Sequence, residues 1–176
     1  MAIATIDIDA LAQKMKRAGV PADYGPDNSK VLSRIWKEIA KGKPVTPAQT
    51  DKIIGELKVP KAAADEFLKK MAEFDEQGNI IGILGLSQGK TWAHKFIVNG
   101  NELRTWCAWD TLFMAQVLGV TANVISESPV SKKSVTLTIG PDKVEKYSPA
   151  GAVVSIVTLD PDKQDKRKLE ELWSNL

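Results

Sequence analysis

The residues with the clearest chemical potential lie in one short stretch, Trp106-Cys107-Ala108-Trp109-Asp110-Thr111-Leu112-Phe113. Cys107 is the only cysteine in the 176 residues, and Asp110 follows it by three positions. The stretch is typical of the first turn of a helix, where residues three apart share a face. The thiol and the carboxyl are therefore expected to point the same way. A soft nucleophile beside a proton donor is a minimal arrangement for attacking a soft metal and protonating the group that leaves it.

The expected chemistry of this pair depends on two pKa values. A position in the first turn of a helix is expected to lower the pKa of Cys107 through the helix dipole and the free amides. Burial and a nearby metal-bound thiolate are expected to raise the pKa of Asp110, which would leave it neutral as a general acid. Trp106, Trp109 and Phe113 could supply the apolar pocket. The plainer alternatives are a buried cysteine that packs as a small hydrophobe and an aspartate favoured by the helix dipole.

The composition excludes several classes of protein. The formal net charge of +2 is too small to argue for nucleic acid or an anionic membrane as partner. A single cysteine allows no internal disulfide and fits a reducing cytoplasm, and one cysteine with one histidine cannot build a zinc site of the usual ligand set. The N-terminus lacks the basic segment of a signal peptide, and no apolar run approaches the roughly 20 residues that span a bilayer. We therefore expect a cytoplasmic protein that does not contact membranes.

The first half of the chain predicts four short helices. They are expected to run from Asp7 or Asp9 to Arg17, from Asn28 or Ser29 to Gly42, from Thr46 to Leu57, and from Pro60 to about Phe74. The strongest start signal is Thr46-Pro47-Ala48-Gln49, because Thr46 and Gln49 can form a capping box around a proline at the first helical position. The helical spacing of apolar residues predicts two buried faces. Their members are Val31, Leu32, Ile35, Trp36 and Ile39 in the second helix, and Ala63, Phe67, Leu68 and Met71 in the fourth.

A turn over residues 75–79 and a strand-like run over residues 80–86 follow these helices. Three helices and a β-hairpin in this order suggest a winged helix-turn-helix. Specific DNA binding would need a basic recognition helix. The candidate helix carries balanced charges, Lys61, Lys69 and Lys70 against Asp65, Glu66 and Glu73. We therefore expect a packing or interaction subdomain rather than a DNA-binding one.

The second half predicts a sheet around one helix. The predicted strands are Trp92 to Val98, Asn101 to Arg104, Val120 to Ser126, Ser134 to Ile139, and Gly151 to Leu159. Asn99-Gly100 is a preferred two-residue hairpin turn. The Cys107 helix is expected to end at Leu118 before Gly119, with an apolar face of Trp109, Leu112, Phe113 and Val117. A charged helix is expected from Asp160 to Trp173. His94 lies in an alternating strand and is expected to be structural or exposed rather than catalytic.

Residues 104–113 resemble the organomercurial (alkylmercury) lyase family. They contain the string Trp-Cys-Ala-Trp-Asp-Thr-Leu-Phe. The resemblance covers roughly residues 42 to 159. Upstream it includes Thr46-Pro47-Ala48-Gln49 and the segment 75–82. Downstream it includes the segments 118–122, 134–139 and 148–155. It implies a helical N-terminal subdomain with a wing, followed by the subdomain that carries the reactive cysteine.

The resemblance also implies an activity, the cleavage of carbon–mercury bonds to a hydrocarbon and Hg(II). The family uses two cysteines and an aspartate. Cys107 matches the first cysteine and Asp110 matches the aspartate, so these two residues are the expected catalytic and mercury-binding pair. The second cysteine of the family has no counterpart up to Leu176. A low-molecular-weight thiol such as glutathione is expected to take its role, with mercury as substrate and product and no other cofactor.

The sequence predicts an α+β protein with two subdomains. Residues 1–86 are expected to form the winged-helix-like part, and residues 87–176 a mostly antiparallel sheet packed around the Cys107 helix. The predicted function is organomercurial lysis, with organomercurials, Hg(II) and small thiols as partners and no nucleic acid. Two alternatives stay open. One is a relative that binds mercury or another thiophilic metal without cleaving the bond, and the other is a winged-helix interaction or regulatory protein with an incidental cysteine.

Overall fold

The computed structural model describes residues 9–10, 13 and 23–154. Residues 26–154 form one compact unit. The predicted first helix lies mostly outside the described residues, although Asp9, Ala10 and Gln13 are helical. The predicted C-terminal helix from Asp160 lies wholly outside them. Within the described part of the chain, no helix is long and apolar enough to cross a membrane.

Three helices open the described region: α1 (Gly25–Ile39), α2 (Pro47–Leu57) and α3 (Lys61–Met71). The predicted capping box of α2 is confirmed. The amide of Thr46 donates to Gln49 Oε1 at 2.9 Å, and the amide of Gln49 donates to Thr46 Oγ1 at 3.3 Å. These bonds satisfy amides that have no partner inside the helix, which fixes where α2 begins.

Two predicted helix bounds are wrong. α1 begins at Gly25, before the expected caps Asn28 and Ser29, and Asp23 Oδ1 accepts a hydrogen bond from the Gly25 amide at 2.8 Å. α3 ends at Met71 because the next three residues leave the helix to pair as a strand. Of the predicted inward positions of α3, Phe67 and Leu68 are buried. Ala63 is exposed and Met71 only half-buried, while Ala64 takes the buried place.

The strands form one eight-stranded sheet in the order β1-β2-β3-β5-β4-β6-β7-β8, and every neighbouring pair is antiparallel. The strands are β1 (Ala72–Phe74), β2 (Ile80–Ile83), β3 (Leu86–Ser87), β4 (His94–Val98), β5 (Asn101–Thr105), β6 (Ala122–Glu127), β7 (Ser134–Ile139) and β8 (Val144–Ser148). Helices followed by an antiparallel sheet confirm the predicted α+β class. The sheet runs through residues 86 and 87, and the division into two subdomains there stays a prediction.

The sheet departs from the predicted strands at three places. The single strand expected over residues 80–86 is split by a turn at Leu84 and Gly85, which both have positive φ. Strand β8 was missed because its side chains are all exposed and carry no alternating apolar pattern. Residues 151–154 of the predicted last strand are not in a strand, and the rest of that prediction lies outside the described residues.

One helix, α4 (Ala108–Leu118), follows β5 directly. Its predicted stop is confirmed, since Gly119 has φ 68°. Of the predicted apolar face, Leu112, Phe113 and Val117 are half-buried, but the fully buried positions of the helix are different ones. The buried residues of α4 are Asp110, Thr111, Met114 and Ala115, whereas Trp109 is 43% exposed. The helix thus turns toward the protein the face that carries the carboxyl group.

Candidate active site

Cys107 and Asp110 lie together at the start of α4. Cys107 is the N-cap residue with an extended backbone, and Asp110 is the third residue of the helix. The amide of Cys107 donates to Asp110 Oδ2 at 2.9 Å. A hydrogen bond also links the thiol to the carboxyl group. Both residues are only 6% exposed. The predicted juxtaposition of thiol and carboxyl is therefore present in the structure.

The turn between β2 and β3 lies directly against the Asp110 carboxyl. Gly85 has φ +94°, and a Cβ built there would lie 2.8 Å from both Cγ and Oδ1 of Asp110. The carbonyl of Gly85 accepts a hydrogen bond from the Trp106 amide at 3.3 Å. Only a glycine allows the backbone to approach this closely while adopting a positive φ. The turn thus closes one side of the site.

Burial sets the protonation of Asp110. Loss of contact with water raises its pKa from 3.8 to about 6, although the hydrogen bonds from the Cys107 thiol and amide act in the opposite direction. This direction agrees with the predicted upward shift, and burial is the cause that raises the pKa. A carboxyl with such a pKa can exchange a proton near neutral pH, which is the property that a general acid needs.

The pKa of the Cys107 thiol shifts in the direction opposite to the prediction. Burial first, and then the negative charge of Asp110, raise the pKa of Cys107 from 9.0 to about 12. The backbone amides of Asp110 and Trp109 favour the thiolate, as the helix start predicts, but they do not offset burial. The expectation of a lowered pKa was therefore wrong. The free site holds a thiol at neutral pH, with its proton next to the carboxylate.

The aromatic residues expected to form a pocket have different environments. Trp106 is half-buried and stacks on Trp92, with ring centroids 5.2 Å apart. Phe113 meets Trp36 edge to face at 6.4 Å. Trp109, by contrast, is exposed. Trp106 is the aromatic residue that adjoins Cys107 and is held in place, so it is the best placed of the three to shape the site.

Other candidate ligands lie apart from the pair or are absent from the described residues. His94 is buried, so the exposed alternative for it is excluded, and its Nδ1 lies 2.8 Å from Ser126 Oγ. Burial lowers the pKa of His94. No group of three or more His, Cys, Asp or Glu residues that could hold a metal ion occurs in the described part of the chain.

Sequence reasoning missed Gly85, the residue that brings the backbone onto the carboxyl. A signal was available, because an isolated glycine in a strand-like apolar run is typical of a close backbone approach. The apolar residues on both sides of Gly85 hide this signal, because residues 80–86 read as one continuous strand. The residue that Gly85 approaches is Asp110, which lies too far along the sequence for any local pattern to indicate the contact.

This arrangement defines an α+β protein with a buried thiol–carboxyl pair at a helix start. A family model described as "MerB: Alkylmercury lyase" matches residues 86–169. An alkylmercury lyase of Streptomyces lividans is 37% identical over 161 residues, covering 87% of this chain and 72% of the relative. One from Pseudomonas putida is 47% identical over 88 residues, or 50% of this chain and 41% of the relative. The chain belongs to the alkylmercury lyase family.

A solved structure supports the fold. The crystal structure of the mercury-bound form of MerB2 matches with a TM-score of 0.66 and 22% identity, covering 84% of this chain and 72% of that one. At this identity the likeness concerns the fold alone. The chain spans about three quarters of the Streptomyces relative and less than half of the Pseudomonas one.

Proposed function

We propose that this protein is an organomercurial lyase, which cleaves carbon–mercury bonds to give a hydrocarbon and Hg(II). The observation that carries the proposal is the hydrogen-bonded Cys107–Asp110 pair, in which a protonated thiol adjoins a carboxyl with a pKa of about 6. Membership of the alkylmercury lyase family supports mercury as the metal. Thiolate sulfur is the ligand that a soft metal such as mercury prefers.

The first step moves one proton within the pair. An organomercurial cation approaches Cys107, and a sulfur–mercury bond forms as the sulfur–hydrogen bond breaks. The proton passes to the Asp110 carboxylate, which already accepts a hydrogen bond from the thiol. Mercury binding thus allows the thiol to lose its proton despite its high pKa, because the metal stabilises the thiolate. The step leaves a neutral carboxyl beside the bound substrate.

The second step uses that proton. Sulfur donates electron density to mercury, which increases the negative charge on the attached carbon. Asp110 protonates this carbon as the carbon–mercury bond breaks, and the electron pair of that bond forms the new carbon–hydrogen bond. The products are a hydrocarbon, Hg(II) on the Cys107 thiolate, and a carboxylate at Asp110. General acid catalysis of this kind contributes roughly 10²- to 10⁴-fold to a rate.

Release of the product needs further thiolates. Hg(II) held by one protein sulfur can be transferred to a low-molecular-weight thiol, and we expect glutathione or a similar thiol to serve both as added electron donor and as acceptor. A reducing cytoplasm would supply such thiols and would keep Cys107 reduced. Nucleic acid and membranes have no part in this reaction.

The test is hydrocarbon release from methylmercury by the purified protein in excess glutathione, measured by gas chromatography. Release at a rate above that of glutathione alone, lost in Cys107→Ser, is the expected result. Stoichiometric binding of Hg(II) without any release of methane would contradict lyase activity and would leave a mercury-binding relative. No thiol-dependent binding at all would leave only the interaction-protein alternative.

A further inference from the structure

A second polar cluster, separate from the Cys107–Asp110 pair, is built around Glu73 in β1. The half-buried Glu73 carboxylate accepts hydrogen bonds from Ser87 Oγ at 2.6 Å and from Trp92 Nε1 at 2.9 Å. Ser87 is fully buried, and its Oγ accepts a hydrogen bond from the Gly89 amide at 2.9 Å. Each carboxylate oxygen therefore has a donor, one on β3 and one in the loop of residues 88–93 that leads to β4.

The backbone leaves space for this carboxylate. A Cβ built at Gly82 would lie 2.7 Å from Ser87 Oγ and 2.8 Å from the carboxyl carbon of Glu73. Hydrogen bonds to an ionised acceptor are shorter and stronger than neutral ones. A carboxylate that is seated against a glycine and held by two side-chain donors is well suited to fix the loop that carries Trp92.

The loop in turn supports the start of α4. Trp92 stacks on Trp106, with an angle of 23° between the ring planes. The peptide unit between Trp106 and Cys107 carries the amide that donates to Asp110 Oδ2 at 2.9 Å. A continuous series of contacts therefore leads from Glu73 through Trp92 and Trp106 to the amide that holds the Asp110 carboxyl.

We infer that Glu73 and Trp92 are positioning residues for proton transfer, which act by fixing Trp106 and thereby the Cys107 amide that orients Asp110. The inference rests on the proposed lyase function for the reaction that it affects. Neither residue touches the reacting atoms. Displacement of a reacting group by about 1 Å can reduce a rate by up to about 10²-fold, so a loosened Trp106 should lower kcat more than it changes KM.

The experiment uses Trp92→Leu, which removes the ring, with Trp92→Phe and Glu73→Gln as milder variants. The first measurement is hydrogen exchange of the Cys107 amide by NMR in ¹⁵N-labelled protein, with the Phe96 amide in the central strand β4 as the internal reference. In Trp92→Leu the Cys107 amide should exchange about tenfold faster while Phe96 is unchanged, because only local opening is altered.

The second measurement is kcat and KM for methane release from methylmercury with glutathione. We expect kcat to fall about tenfold with KM within about twofold.

Phe74→Leu and Glu76→Gln are the matched controls, since both side chains are exposed and neighbour the cluster without joining it. They should leave both measurements unchanged. Unchanged Cys107 exchange in Trp92→Leu and Glu73→Gln, together with unchanged kcat, would overturn the inference. Equal acceleration of exchange at Cys107 and Phe96 would also overturn it, because it would show a general loss of stability.

The outcome separates this inference from the proposed function. If the wild-type protein releases no methane, the lyase proposal fails. The exchange of the Cys107 amide then decides by itself whether Glu73 and Trp92 fix this peptide. If the wild type is active and the variants change neither measurement, the lyase proposal stands and the positioning role is wrong.

Discussion

The amide of Cys107 donates a hydrogen bond to the carboxyl of Asp110 across the first turn of α4, at 2.9 Å from nitrogen to Oδ2. Such a bond usually caps a helix, with a serine or threonine in the place of the cysteine. Here the residue at the cap carries a thiol, so the interaction that begins the helix also joins a nucleophile to a proton carrier. Changing either residue therefore affects both the helix start and the chemistry.

Cys107→Ser should abolish the adduct with Hg(II) or methylmercury, because the chain has no other thiol. Mass spectrometry of the protein after addition of one equivalent of the metal measures the adduct. A useful control adds Ser131→Cys to the Cys107→Ser protein, which places a thiol at an exposed position. That control should bind mercury again without releasing methane. Tight binding retained in Cys107→Ser alone would show that Cys107 is not the primary ligand.

Asp110→Asn should leave mercury binding largely intact, since the thiol remains, but should reduce methane release by roughly 10²-fold or more. The amide cannot accept the thiol proton or deliver it to carbon. Initial rates with methylmercury and excess glutathione measure the effect, and Asp142→Asn at an exposed position is the control. Equal rates for wild type and Asp110→Asn would remove Asp110 from the mechanism.

The raised pKa of Asp110 also predicts how the stability of the protein depends on pH. Its pKa is about 6 in the folded protein, against an ordinary value of 3.8, because burial disfavours the carboxylate. Between these values the folded state binds more protons than the unfolded state, so this contribution is fully present below about pH 4 and is lost as the pH rises through 6. The difference corresponds to about 3 kcal/mol in the free energy of unfolding.

Asp110→Asn isolates that contribution, because the asparagine does not titrate. Relative to the variant, wild type should lose about 2 kcal/mol of unfolding free energy between pH 4 and pH 7. Urea unfolding of both proteins at several pH values measures the difference. Comparison of the two proteins is needed because Glu66 and Asp75 have lowered pKa values through their bonds to Lys70 and Asn79, and so act in the opposite direction in both. A difference that does not change with pH would contradict the prediction.

The helical first part of the described unit should not bind DNA in a sequence-specific way. Two of the three lysines that a recognition helix would present are already paired, Lys61 with Asp51 and Asp65 at 2.6 and 3.0 Å, and Lys70 with Glu66 at 2.7 Å. These pairs leave little unbalanced positive charge to contact phosphates. Gel-shift measurements at several salt concentrations test this. A salt-dependent and sequence-selective shift would show that the prediction is wrong.

Local signals in the sequence located the parts of the fold that depend on neighbouring residues. The capping box at Thr46, the hairpin turn at Asn99-Gly100 and the helix stop at Gly119 are each decided within a few residues, and all three are confirmed. The proximity of Cys107 and Asp110 follows in the same way from helical spacing. These features needed no knowledge of how distant segments pack.

The features that were missed depend on distant partners. Residues 72–74 continue a helical pattern, but pairing with β2 turns them into a strand. The buried face of α4 follows from contact with the sheet rather than from its apolar residues, so Trp109 points to solvent. The thiol pKa was misjudged for the same reason, since the helix start could be seen in the sequence and the burial that outweighs it could not.

Gly85→Ala tests whether the approach of the β2–β3 turn to Asp110 matters for the reaction. The added methyl group would meet the carboxyl at 2.8 Å, and the residue would have to keep φ +94°, which strains any residue with a Cβ. We expect at least a tenfold loss of methane release from displacement of Asp110, and a loss of about 1–3 kcal/mol of unfolding free energy.

Gly55→Ala is the matched control, because a Cβ there meets no atom within 4 Å and lies in helix α2. It should keep full activity with a small gain in stability. Full activity in Gly85→Ala would show that the carboxyl can move without consequence for proton transfer.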